Sequence, residues 1–182
     1  MLGVYDYTVI LTYLSIISAS IGIVLSFSHV GALASIVCLM ICGLLDAFDG
    51  KVARTKKDRT DFERKFGIQI DSLSDVIAFG VLPAAIGANL LRYSRFINNL
   101  PPFYGFIKKI LFAVLFLYVL AAVIRLAYFN VTEEERQEAE AINREFYTGV
   151  PVTTAAILFP LIYLIQMATR LDLTLVYIFF IA

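Results

Sequence analysis

Four aspartates, Asp46, Asp49, Asp71 and Asp75, stand against long apolar runs. The run LASIVCLMICGLL leads into Asp46, and VIAFGVLPAAIGANLL follows Asp75. With their flanks, both runs read as bilayer-crossing helices. A carboxylate at membrane depth is costly enough to mark a functional site. Asp46 and Asp49 are three apart and Asp71 and Asp75 four apart, so on helices each pair shares one face. Two such faces turned toward each other make a hard, all-oxygen site, suited to Mg²⁺ or Mn²⁺ rather than to a soft metal.

The rest of the chain agrees with a membrane setting. Of its 182 residues, 60% are hydrophobic, and the mean hydropathy is +0.82. A soluble domain has about 45–50%. The chain therefore reads as one all-α, polytopic membrane domain over residues 1–182. Spans are expected at about 8–28, 32–54, 67–91, 106–129 and 149–168. A sixth stretch, LTLVYIFFIA, is shorter than the ~20 residues a crossing needs and reads as an incomplete helix. The formal net charge is zero, so charge gives no reason to expect a nucleic-acid partner.

The connections carry the charge. From Lys51 to Lys65 there are seven Lys/Arg against three Asp/Glu, which places this loop in the cytoplasm by the positive-inside rule. Arg92, Arg95, Lys108 and Lys109 flank the 92–105 connection, which then lies outside and counts against that orientation. The earlier loop is denser in charge and decides it. Residues 131–148 are acidic and partly helical by pattern, with Thr132 and Glu135 spaced as a capping box. Pro83 is expected to kink the third span. Cys38 and Cys42 lie one turn apart, a poor geometry for a disulfide, and read as small buried residues. The first residues lack the basic region and cleavage site of a signal peptide.

A pair of divalent ions about 3.5–4 Å apart can clamp a diphosphate. Phosphoryl transfer is largely positioning and charge stabilisation, so such a site supplies much of what it needs. Gly50 and Ala53 share the helix of Asp46 and Asp49, and their small size lets a ligand approach the backbone. Arg54 can fork onto a phosphate. Gly67 gives the next helix the same close approach.

The pattern Asp46-x-x-Asp49-Gly50-x-x-Ala53-Arg54, then Gly67-x-x-x-Asp71-x-x-x-Asp75, resembles the signature of the CDP-alcohol phosphatidyltransferase family. Twelve residues separate Arg54 from Gly67, more than the family usually has. The excess falls in the polar loop, where added length is cheap. The resemblance implies a six-helix membrane bundle, usually a homodimer, in a prokaryotic cell membrane with its active site open to the cytoplasm. It implies that Asp46, Asp49 and Asp71 ligate two divalent cations, with Asp75 ligating or acting as the base. It also implies that Gly50, Ala53, Arg54 and Gly67, beside Asp46 and Asp71, bind the CDP group.

Three stretches resemble the phosphatidylserine synthase branch: Asp71 to Ala84, Arg125 to Asn130, and Phe146 to Pro151. Tyr128 and Val150 depart from the usual form, which has Arg and Leu there. This likeness implies a CDP-diacylglycerol or archaeal CDP-lipid donor and L-serine as acceptor. Serine needs a cation for its carboxylate and acceptors for its ammonium. Arg125, Asn130, Arg144 and Thr148 are the candidates, although Arg125 also suits a snorkelling role and Asn130 and Thr148 suit helix caps. The other serine-synthase class uses His/Lys pairs, which a chain with His29 as its one histidine cannot build.

Two other readings remain open. Inositol phosphate or glycerol phosphate could be the acceptor, but either wants a more basic pocket than the acidic 131–148 segment offers. A divalent-cation transporter also places carboxylates in helices, but near the bilayer midplane and without small residues in register.

Overall fold

A computed structural model of the chain describes Val4 and residues 6–28, 31–53, 55–56, 58, 60–99, 101, 105–138 and 152–181. Asp6 opens a 3₁₀ turn, Tyr7–Val9, by accepting from the Tyr7 amide at 2.7 Å. This turn leads into α1 (Ile10–Ser26), and α2 follows (Gly31–Ala53). One helical rod then runs from Asp61 to Tyr93. It comprises α3 (Asp61–Asp75), a π-helical segment (Val76–Val81) and α4 (Leu82–Tyr93). Short α5 (Arg95–Asn98) precedes the long α6 (Gly105–Glu138). A 3₁₀ turn, Val152–Thr154, leads to α7 (Ala155–Thr169) and then α8 (Thr174–Ile181).

Among the described residues, four helices are long and apolar enough to cross a membrane: Tyr7–Ser26, Gly31–Ala53, Asp61–Tyr93 and Gly105–Thr132. α7 is a shorter apolar helix. Every element of regular structure among the described residues is helical. In a bilayer no water satisfies the backbone, so a helix that pairs its own amides is the available solution.

Small residues bring α1 and α2 together. Ser35 donates to the Gly22 carbonyl at 2.7 Å, Ser18 to the Cys38 carbonyl at 3.2 Å, and the Cys42 thiol to the Ser15 carbonyl at 3.4 Å. Hydroxyls and small side chains of this kind serve as interhelix glue in lipid, where the hydrophobic effect cannot. Both cysteines are free thiols, as their spacing implied. The core gathers Leu39, Phe79, Leu82, Ile86, Phe159 and Tyr177. The rings of Phe159 and Tyr177 lie 4.7 Å apart. α6 turns Leu115 and Tyr118 toward this core, while Phe116, Leu117 and Ile124 point outward.

Two expectations change. The third helix begins at Asp61, not near Gly67, because Thr60 and Glu63 form a capping box. The Thr60 hydroxyl accepts from the Glu63 amide at 3.2 Å, and the Glu63 carboxylate accepts from the Thr60 amide at 2.9 Å. Conversely, Thr132 caps nothing. α6 runs through it to Glu138, and its hydroxyl donates back to the carbonyls of Tyr128 and Phe129, both at 3.0 Å. Inside a helix a threonine hydroxyl takes this local route instead. Pro83 lies in the first turn of α4, inside the rod, and the helix continues through it to Tyr93. The change in winding lies just before it: the Leu82 amide reaches back five residues to the Ile77 carbonyl.

Candidate active site

The last turns of α2 and the middle of α3 meet beside the start of α1. Asp46 and Asp49 come from α2 and Asp71 from α3. One carboxylate oxygen from each lies within 4.8 Å of the others. Asp75 is one turn further along α3, and its carboxyl group is in contact with that of Asp46, as Asp71's is with that of Asp49. Asp49 is buried, and the Thr12 hydroxyl of α1 donates to it at 3.5 Å. The Asp71 Oδ1 atom is buried with no hydrogen-bond partner among the described residues.

That orphaned oxygen tests the fit to a metal. Buried polar atoms are almost always satisfied. Four carboxylates gathered at one place and partly or wholly buried repel one another. A hard divalent cation answers both conditions, and an all-carboxylate donor set is what Mg²⁺ or Mn²⁺ takes. The residues present fit the group.

Beside the carboxylates lies a cleft of about 130 Å³. Gly50 and Ala53 line it from α2, Arg64, Gly67 and Asp71 from α3, and Thr8 and Thr12 from the chain's start. Three of these lining residues, Gly50, Ala53 and Gly67, have the smallest side chains of the set. An ion-pair strap stands nearby. Lys56 Nζ binds Asp6 at 2.7 Å and Glu63 at 3.0 Å, tying the α2–α3 connection to the entry of α1 and the first turn of α3. The hydrogen bond from Lys56 holds the Asp6 carboxyl below its usual range.

Residues 8–182 match the profile of the CDP-alcohol phosphatidyltransferases. The chain belongs to the CDP-alcohol phosphatidyltransferase family. Among curated relatives, a CDP-diacylglycerol–serine O-phosphatidyltransferase of Helicobacter pylori is 37% identical over 68% of this chain and 43% of its own length. An archaetidylserine synthase of Methanothermobacter thermautotrophicus is 36% identical over 83% of this chain and 56% of its own. A protein of Methanocaldococcus jannaschii, also named for CDP-diacylglycerol and serine, is 31% identical over 87% of this chain and 59% of its own. The chain thus spans about half the length of these relatives. No solved structure gives a significant match.

In this member of the family, the fold brings together Asp46, Asp49, Asp71, Gly50, Ala53 and Gly67. Asp75 adjoins them through Asp46. Asn130 of α6 donates to the Ser72 hydroxyl at 2.7 Å, one residue from Asp71. Arg125 is exposed on α6, a turn and more away along the helix from Asn130. Arg54, Arg144 and Thr148 lie outside the described residues.

Three polar cleft residues escaped the sequence reading: Thr8, Thr12 and Arg64. Arg64 was discoverable. Once Thr60-x-x-Glu63 is read as the helix start, residues 64, 67, 68, 71 and 75 form one stripe at helical spacing. Thr12 carried only a weak signal, a hydroxyl within an apolar span.

Proposed function

We propose that this chain carries out metal-dependent transfer of a phosphatidyl-type group from a CDP-linked lipid to the hydroxyl of L-serine, releasing CMP. The observation that carries the reading is the cluster of Asp46, Asp49 and Asp71, with an unpartnered Asp71 oxygen, beside a cleft lined by Gly50, Ala53 and Gly67. The serine-specific names of the relatives support the acceptor.

Asp46, Asp49 and Asp71, with Asp75 adjoining, would hold two divalent cations, Mg²⁺ or Mn²⁺. Bound there, such cations neutralise charge on a diphosphate. The chain's own residues do the rest. Gly50, Ala53 and Gly67 admit the nucleotide to the backbone, and Arg64, with Arg54, offers guanidinium forks to phosphate oxygens. Asp75 accepts the proton of the serine hydroxyl. The serine oxygen bonds to the lipid-side phosphorus, the bond from that phosphorus to the CMP oxygen breaks, and CMP departs. Arg125, Asn130, Arg144 and Thr148 are the candidate serine contacts. Asn130's bond to Ser72 supports its place near the reacting end.

The seven cations between Lys51 and Lys65 support a cleft facing the cytoplasm of a prokaryotic cell. The outward apolar face of α6 suits either lipid or the second subunit of a homodimer.

The deciding experiment measures CMP release by purified protein from CDP-diacylglycerol and from an archaeal CDP-lipid. Serine, inositol phosphate and glycerol phosphate are compared, with Mg²⁺, Mn²⁺ or chelator. The expected result is release that needs both serine and the divalent ion. Release driven by either phosphorylated alcohol instead would overturn the serine assignment, and release in chelator would overturn the metal.

A further inference from the structure

We propose a second ligand site, at the end of the bundle opposite the aspartates, that takes a phosphate group at the membrane surface, as presented by an anionic lipid headgroup. A cavity of about 550 Å³ lies there between the last turns of α4 and α7 and the first turns of α2 and α8. Its volume is in the range of small-molecule sites. Asn89, Tyr93, Arg95, Tyr163, Arg170 and Asp172 line it. α2 runs from Ala32 at this cavity to Asp49 at the catalytic cleft, seventeen residues on, so the two sites are roughly 25 Å apart.

The charge balance favours an anion. Two guanidiniums face one carboxylate, and that carboxylate is occupied. Asp172 Oδ2 accepts from the Ser94 hydroxyl at 2.6 Å and the Phe96 amide at 3.1 Å, while Oδ1 accepts from the Thr174 amide at 3.2 Å. Asp172 therefore builds the wall, as does Asn89, whose amide donates to the Ser26 and Ser28 carbonyls of the α1–α2 turn. Among the described residues the ion pairs involve Lys56, and neither Arg95 nor Arg170 is taken up by one.

Arg170 adds a second observation. It ends α7 with φ 56°, the left-handed conformation in which glycine or asparagine is usual. A long cationic side chain kept at a strained position points to a use for that side chain. Paired guanidiniums bind phosphate by forked hydrogen bonds. Tyrosines such as Tyr93 and Tyr163 suit headgroup depth. Basic pockets between membrane helices take lipid headgroups by the same chemistry. The site also gives a role to cations at this end that the catalytic cleft does not use.

The test uses the full chain in phosphatidylcholine nanodiscs doped with phosphatidylglycerol, with native mass spectrometry counting the lipids retained. Wild type should retain phosphatidylglycerol over phosphatidylcholine. The double variant Arg95→Gln/Arg170→Gln should lose that preference by about tenfold or more. Arg92→Gln, exposed and outside the cavity, should keep it. Adding inorganic phosphate separates the two sources: displacement of the lipid assigns the site to the free anion, and no displacement assigns it to the headgroup. Equal retention by wild type and double variant would overturn the proposal. If the double variant does not fold, wild type alone decides, because no preference for phosphatidylglycerol overturns it equally. None of these readouts depends on CMP release.

Discussion

The Tyr118 hydroxyl on α6 donates to the Phe79 carbonyl in the π segment at 2.6 Å. Phe79 lies four residues before Pro83, the position whose amide would cap that carbonyl in an α-helix. Proline has no amide to give. A hydroxyl from a neighbouring helix supplies the missing donor, deep in a bundle where water cannot. Tyr177 of α8 donates to the Pro83 carbonyl itself, at 3.0 Å. Tyr118→Phe should therefore destabilise the protein by about 1–2 kcal/mol. The loss should shrink when Pro83→Ala restores an amide. Thermal unfolding of the four proteins in detergent measures this coupling, and an equal loss in both backgrounds would break the link between tyrosine and proline.

Asp71 and Asp75 should separate by assay. Asp71→Asn should weaken Mn²⁺ binding at least tenfold, read by electron paramagnetic resonance, because it removes an oxygen of the cluster. Asp75→Asn should leave most of that binding and lower CMP release by about 10²–10⁴-fold, the usual worth of a general base. Full CMP release by Asp75→Asn would remove the proton-accepting role.

Arg64 lines the cleft without belonging to the carboxylate cluster. Arg64→Gln should raise the KM for the CDP-lipid about tenfold while Mn²⁺ binding stays unchanged. A KM equal to wild type would leave Arg64 as a bystander at the rim.

Gly43 of α2 packs directly against Ala156 of α7: a Cβ there would lie 2.5 Å from the Ala156 Cβ. Alanine is the better helix former by about 1 kcal/mol, yet Gly43→Ala should still destabilise, since overpacking costs about 1–3 kcal/mol. Adding Ala156→Gly should recover most of the loss. A Gly43→Ala protein that melts at or above the wild-type temperature would contradict this packing.

Asp172 makes stability depend on pH. Burial pushes its carboxyl up, but hydrogen bonds from Ser94, Thr174 and the Phe96 amide outweigh it and bring the pKa to about 2, from an ordinary 3.8. A lowered folded-state pKa stabilises above the unfolded value, and that contribution is lost as pH falls from 3.8 through about 2. The melting temperature should drop across that window in wild type and drop less in Asp172→Asn. Parallel curves for the two proteins would show that this carboxylate does not link the α4–α5 and α7–α8 turns.

The sequence by itself determined the membrane helices, the two carboxylate pairs and the small residues beside them. Each is a local property: an apolar run long enough to cross, or a three- or four-residue spacing that fixes a shared face. The start of α3 was also legible, in Thr60 and Glu63. Only the tertiary structure decided which oxygens converge, because spacing along one helix says nothing of the rotation of its neighbour. It alone placed Thr12 against Asp49, put Tyr118 on the carbonyl that Pro83 leaves open, and gathered Arg95 and Arg170 at one cavity from positions 75 residues apart. Such relations belong to packing between helices, where side chains distant in the chain meet only after the bundle has closed.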